Sequence, residues 1–317
     1  MRAAVISKPL AAELHDQPLP EPRAGEIRVK LEGCGICGSN IPVWEGRSWF
    51  KYPFSPGAPG HEGWGIVDAV GEGVRDFSLG DRVGLLSEHA YAEYDIAAAK
   101  SAVRLPEALK SMPFPAEPLG CAMNVFRRTA VNPGEQVVII GIGFLGAVLT
   151  RLVAAAGARV CAISRSAFAL EVAAAFGAER VEQLRDYAHV QRSVWNWSGT
   201  HGCDCVIEVV GKQEPLNLAA ELTKERGRLV IAGYHQDGMR QVNMQVWNWR
   251  GLDVINAHER QPEVYVQGMR EAVDAVSAGI LDPSPLYTHT FPLDDISAAF
   301  HAATTRREGF LKALVTP

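Results

Sequence analysis

The sequence predicts an α/β protein of two domains: a small β-barrel-like domain with long loops, and a doubly wound parallel sheet. Three observations lead there. The 317 residues amount to about two domains at roughly 150 residues each. The first third is a series of short β-branched and aromatic segments separated by Gly, Pro and Asp clusters. From Gln136 onward, short apolar runs alternate with helical patterns, the signature of strands and crossover helices in a parallel sheet.

In chain order, strands are expected at 3–7 (AAVIS), 26–35 (EIRVKLEGCG), 63–71 (GWGIVDAVG), 81–86 (DRVGLL) and 92–97 (AEYDIA). Turn-rich stretches such as PEPRAGE, SPGAPG and VGEGVRDFSLGDR separate them. The run QVVIIG (136–141) is continuously apolar, as suits a strand buried on both faces. A helix rich in Ala and Leu follows at 143–158, then a strand at 159–164 (RVCAIS) and a helix at 169–178. Further strands are expected at 203–211, 227–234 and 252–257, with a helix over 214–226. The tail reads as an amphipathic helix at 265–279, the segment FPLDDISAAFHAATTRR, and a closing strand FLKALVTP. The expected domains are 1–120 with 256–317, and 121–255.

Composition narrows the function. A net charge of −5 lacks the clustered basic surface of a nucleic-acid binder. No apolar run is long enough to span a bilayer, and no signal-like stretch opens the chain. Six sparse cysteines do not make a disulfide scaffold, so a cytoplasmic setting with reduced thiols is expected.

The segment GIGFLG (141–146) fits G-x-G-x-x-G between a strand and a helix. In that context Gly141 serves the tight turn, Gly143 the approach of a pyrophosphate, and Gly146 the packing of helix on strand, with Phe144 and Leu145 opening the helix. Dinucleotide binders that use NAD usually carry a carboxylate at the end of the second strand. Here that end is Ser164-Arg165. A hydroxyl beside a guanidinium suits a 2′-phosphate, so NADP is favoured over NAD.

Five motifs then occur in order: GCGICGSN (33–40), PGHEGWG (59–65), GDRVGL (80–85), EPLGCAMNVFRR (117–128) and GIGFLG. In these the chain resembles the zinc-dependent medium-chain alcohol dehydrogenases, of the branch containing sorbitol and threonine dehydrogenases. The resemblance spans essentially the whole chain and implies a GroES-like catalytic domain beside a Rossmann domain. It implies hydride transfer between NAD(P) and a secondary alcohol, with zinc polarising the substrate oxygen. The matching metal ligands are Cys37 and His61 with Glu62 or Glu117; the residues leave open which carboxylate touches the metal. Ser39 matches the hydroxyl that begins proton removal, and Glu62 is the candidate for passing the proton on. Lys312 matches the residue that meets the cofactor phosphates; Ala232, Gly233 and Tyr234 match the segment that passes the nicotinamide.

Two departures stand out. Asn40 replaces the Asp that bonds the zinc histidine in the family, and Ile41-Pro42 replaces a relay histidine. The stretch GLLSEHAYAEYDIAA has no cysteine, so the four-cysteine lobe holding a structural zinc in many relatives is expected to be missing, leaving one zinc per chain. The loop at 44–54 carries Trp44, Arg47, Trp49, Lys51 and Tyr52, which suits a polar, hydroxylated or anionic small-molecule substrate better than a simple alkyl alcohol. The resemblance also implies a homodimer or homotetramer formed through the edge of the cofactor sheet. Two competing readings are a zinc-free quinone or enone reductase and a non-enzymatic NADP-binding sensor; neither needs Cys37 and Ser39.

Overall fold

The computed structural model describes residues 1–199 and 202–317. In chain order the strands are β1 (Arg2–Lys8), β2 (Ala11–Asp16), β3 (Glu26–Gly35), β4 (Gly63–Val70), β5 (Arg82–Leu85), β6 (Tyr94–Ala98) and β7 (Ala102–Arg104). They continue with β8 (Gln136–Ile140), β9 (Arg159–Ser164), β10 (Arg180–Gln183), β11 (Cys203–Glu208), β12 (Thr223–Ile231), β13 (Asp253–Asn256), β14 (His289–Pro292) and β15 (Ala313–Thr316). The helices are α1 (Ile41–Glu45), α2 (Ala116–Thr129), α3 (Phe144–Ala155), α4 (Ala167–Ala175), α5 (Tyr187–Ser198), α6 (Gln213–Leu222), α7 (Met244–Arg250), α8 (Pro262–Ser277) and α9 (Ile296–Thr305).

The chain forms two compact units, 1–121 with 261–317, and 122–260. The expected boundaries were 1–120 with 256–317; the first exchange falls inside α2, and the second falls after β13.

In the first unit a seven-stranded sheet runs β14-β15-β3-β4-β5-β7, with β6 also paired to β3. Strand β3 is the hub: it pairs antiparallel with β4, β6 and β15. Its C-terminal end, Cys34-Gly35, abuts β15, which brings the last strand of the chain beside the start of the Cys37 turn. The core is continuous from Ile27, Val29 and Leu31 to Trp44, Tyr91, Phe300 and Val315. Only residues 86–93 separate β5 from β6.

In the second unit the sheet is parallel throughout, in the order β10-β9-β8-β11-β12-β13. Order reverses between β8 and β11, which puts the topological switch point beside the GIGFLG turn. Val137 to Ile140, Val160 to Ile163 and Val206-Ile207 are wholly buried or nearly so, as strands covered on both faces require.

Some elements differ from expectation. The helix expected over 214–226 stops at Leu222, and Thr223–Ile231 is strand. The β-branched Thr223 turns its hydroxyl back onto the Ala219 carbonyl at 2.7 Å, and the strand pairs from Thr223 onward with a register shift. Helix α5, unexpected from periodicity, is started by Asp186, whose carboxylate accepts from Ala188 and His189 N–H groups at 3.2 Å. None of the described helices is long and apolar enough to cross a membrane.

Candidate catalytic centre and cofactor edge

The catalytic candidates of the first unit meet at two turns. One follows β3 and carries Cys37, Gly38, Ser39 and Asn40; the other precedes β4 and carries Pro59, His61 and Glu62. The antiparallel pairing of Cys34 with Gly63 sets the two turns side by side. The donor atoms of Cys37, His61 and Glu62 all lie within 4.8 Å of one another. Ser39 Oγ donates to Cys37 Sγ at 3.1 Å. Glu117, in the first turn of α2, is buried near enough for its charge to act on His61, but is not one of that group of three.

The donor set fits a zinc ion. A thiolate, an imidazole and a carboxylate are its usual ligands. His61 Nδ1 lies 2.9 Å from the Pro59 carbonyl. A carbonyl only accepts, so Nδ1 carries a hydrogen and Nε2 is the nitrogen that can bind a metal once the metal displaces its proton. Glu62 is wholly buried. Its Oε1 accepts from Lys312 Nζ at 2.6 Å, while Oε2 lies 2.5 Å from the same nitrogen and forms no hydrogen bond of acceptable geometry. That leaves a buried carboxylate oxygen with an acceptor lobe to offer. Burial disfavours a charged imidazole, yet Cys37, Glu117 and Glu62 hold the His61 pKa up at about 10. Burial, opposed by His61 and reinforced by Glu62, pushes Glu117 up to about 7. The pocket thus concentrates negative charge on whatever cation enters it.

Three expectations need correction here. Asn40 does not serve His61: its Oδ1 accepts from Tyr91 O–H at 2.7 Å and its Nδ2 donates to the Pro59 carbonyl at 3.4 Å. The Pro59 carbonyl has taken the orienting role instead. Lys312, expected at the cofactor phosphates, is 5% exposed and directs its ammonium to Glu62. Glu62, expected to pass protons onward, is sealed from solvent against that ammonium, a place suited to holding the cluster rather than relaying protons. The pairing explains Gly35, because a Cβ there would stand on Glu62 Oε2 and 2.9 Å from Lys312 Cε.

The loop at 44–54 also divides differently. Trp44 is buried and stacks on Phe300 with ring centroids 4.9 Å apart, and the Tyr52 hydroxyl bonds the Val43 carbonyl. Trp49, Arg47 and Lys51 remain exposed, with Arg47 drawn to Glu45 at 2.9 Å.

In the second unit the cofactor candidates lie at the carboxyl edge of the sheet. Gly141 has a φ of 101°, and a Cβ there would meet Val210. A Cβ on Gly146 would stand on the Gly141 carbonyl oxygen. Helix α3 begins at Phe144-Leu145 with Gly143 as its cap, so its first N–H groups meet no capping side chain and favour an anion. At the end of β9, Ser164 Oγ accepts from the Ser166 N–H at 3.3 Å, and Arg165 is exposed. Ser166 is the residue that caps α4.

Ala232 and Gly233 both donate N–H to the Glu208 carbonyl at 2.8 Å. Tyr234 is exposed and stacks on His258 at 5.4 Å. Sequence reasoning missed the group beneath this segment. The buried Glu208 carboxylate accepts from the Val210 and Gly211 N–H groups at 2.7 and 2.8 Å and meets His235 Nε2 at 3.0 Å. Arg240 in turn donates to His235 Nδ1 at 2.9 Å. A carboxylate closing an apolar strand three residues before a glycine was the available signal.

Comparison with known proteins agrees with this layout. Residues 23–107 match the family model described as the alcohol dehydrogenase GroES-like domain, and residues 141–275 the one described as zinc-binding dehydrogenase. An alcohol dehydrogenase of Moraxella sp. is 30% identical over 74% of this chain and 77% of its own length. The 2-dehydro-3-deoxy-L-galactonate 5-dehydrogenase of Pseudoalteromonas atlantica is 26% identical over 93% of this chain and 92% of its own. The crystal structure of an Escherichia coli alcohol dehydrogenase, rspB, in complex with NADH superposes with a TM-score of 0.89 at 24% identity, covering 100% of this chain and 99% of that one.

Proposed function

This chain belongs to the zinc-type medium-chain dehydrogenase/reductase family and is an alcohol dehydrogenase acting on CH–OH groups, and from that premise we propose that it transfers a hydride between NADP and a secondary alcohol of polyol, cyclitol or sugar-like kind, with one zinc per chain. The observation that carries the reading is the convergence of Cys37, His61 and Glu62 donors within 4.8 Å, with Ser39 on Cys37. A quinone reductase or a sensor has no use for that set.

Cys37 Sγ, His61 Nε2 and Glu62 Oε2 would hold the metal. When bound, zinc supplies polarisation of the substrate oxygen and the nicotinamide accepts the hydride. Ser39 can accept the proton of the substrate hydroxyl while donating its own onward to water or to the cofactor ribose, because one hydroxyl does both. Pro59 fixes the His61 tautomer, and Lys312 balances the charge of Glu62. Glu117 would be a fourth donor, the second carboxylate, or a nearby proton acceptor.

Ser164 and Arg165 support NADP: no carboxylate ends β9, and an exposed guanidinium beside a hydroxyl can grip a 2′-phosphate. The name of the Pseudoalteromonas relative, a dehydrogenase of a hydroxylated sugar acid, supports a hydroxylated substrate. For assembly we propose a homodimer, or a homotetramer, through β13. It is the last strand of its sheet, and Trp249, Met244 and Val254 stand exposed at or beside it. Six free thiols suit a reducing cytoplasm.

Metal analysis of the purified chain, with and without Cys37→Ala, tests the reading. One zinc per chain and oxidation of polyols or hydroxy acids with NADP, both lost in the variant, are expected. Turnover that survives without zinc would replace the reading with a zinc-free reductase.

A further inference from the structure

We propose that Arg306 forms an anion subsite beside the Cys37–Ser39 turn, so that the hydroxylated substrate carries a carboxylate or phosphate group. The proposal rests on the dehydrogenase reading and names the substrate class of that site.

Arg306 ends α9 in the left-handed conformation, with φ at 43°. Glycine is the residue that suits such a helix end, and a side chain there is tolerated less well. Its N–H caps the helix on the Ala302 carbonyl at 2.9 Å, and its Nε donates to the Ala303 carbonyl at 3.2 Å. The first bond caps the helix, and the second orients the Nε end of the guanidinium.

The outer end reaches the catalytic turn. A Cβ on Gly38 would lie 3.5 Å from Arg306 Nη2, and Gly38 is exposed between Cys37 and Ser39. The Cys37 sulfur is close enough to act on the guanidinium charge. Stacking of Phe300 of α9 on Trp44 of α1 at 4.9 Å ties the two elements through the core, and the exposed Arg306 side chain stands at the end of α9 where a ligand can reach it.

Arg28, Arg82, Arg159 and Arg228 each close on a carboxylate. Arg306 forms no ion pair among the described residues, and its terminal nitrogens donate to no protein acceptor there. A planar fork with open donors beside a candidate proton-transfer hydroxyl is built for a bidentate oxyanion.

Initial rates with sorbitol, D-gluconate and sorbitol 6-phosphate, on the zinc-loaded wild type and on Arg306→Ala and Arg306→Lys, test the proposal. The ratio of kcat/KM for the preferred anionic compound to that for sorbitol should fall at least tenfold in Arg306→Ala through a raised KM, and recover in part in Arg306→Lys. Zinc content should match the wild type. Preference for gluconate or for the phosphate ester separates the two sources of the oxyanion. Equal losses on sorbitol and on the anion, or no loss, would overturn the proposal. If no compound turns over, the dehydrogenase reading fails for these substrates, and binding decides on Arg306 alone. Gluconate or inorganic phosphate should then raise the Tm of the wild type and of Arg307→Ala but not of Arg306→Ala. No shift in the wild type, or one that survives in Arg306→Ala, overturns the subsite.

Discussion

The two units hold their functional groups in opposite ways. In the first unit the chemistry is buried and assembled from distant parts of the chain: Glu62 and Lys312 are 250 residues apart, Asn40 and Tyr91 51 apart. In the second unit it sits at the ends of neighbouring strands and is built locally: GIGFLG links β8 to α3 directly, and Glu208 bonds N–H groups two and three residues on. A local turn needs only glycine in the right places. A buried cluster of charges needs partners to arrive from elsewhere, and fails when one is removed.

The largest expected effect follows from that difference. Lys312→Met would leave the Glu62 carboxylate buried without its ammonium, and breaking such a pair costs about 3–5 kcal/mol. Denaturant unfolding of the zinc-free protein should show a loss of that order. The double variant with Glu62→Gln should recover much of it, because no charge is then stranded. A loss below about 1 kcal/mol would mean that the pair behaves as a surface ion pair, and the contrast between the units would collapse.

This contrast also explains what was legible in the sequence. The parallel sheet, its glycine turn and the Ser164-Arg165 strand end followed from period and spacing, because short-range geometry fixes them. Cys37, His61 and Glu62 were found only because whole motifs matched a family; nothing in their spacing says that β3 and β4 pair Cys34 with Gly63. Lys312 illustrates the limit. The motif match marked it as functional but assigned it to phosphates, since its partner is decided by the β3–β15 pairing at the far end of the chain. Asn40 likewise stands where the family's Asp faces the zinc histidine, while Tyr91, which has no motif of its own, donates to its amide oxygen.

Next in size is Gly146→Val in the second unit. The added Cβ would stand on the Gly141 carbonyl, and forcing bulk into a packed turn typically costs about 1–3 kcal/mol. Binding of NADP by fluorescence titration should weaken strongly, while zinc content stays at the wild-type level. Loss of zinc as well would show that the units do not fail separately.

A smaller effect is expected at the strand end. Arg165→Ala should lower kcat/KM for NADP about tenfold relative to NAD, since one charge-assisted hydrogen bond is worth roughly 1.5–3 kcal/mol. An unchanged ratio would remove the argument for NADP from this residue.

The smallest is a pH effect on the exposed side of the second unit, where local and distant bonding give the least. Glu179 has its pKa lowered from 4.5 to about 2 by hydrogen bonds from Arg159 and then from Trp197. A lowered carboxylate contributes its stability above the unfolded value, and that contribution is lost as pH falls through the folded one. The relevant window therefore runs from about 4.5 down to about 2. Both side chains are more than two-fifths exposed, so solvent screening limits the contribution to about 0.5 kcal/mol. Glu179→Gln should therefore flatten the acid limb of the unfolding curve slightly and leave stability near pH 7 within about that amount. A loss several times larger would show that the Arg159–Glu179–Trp197 group behaves like the buried cluster of the first unit.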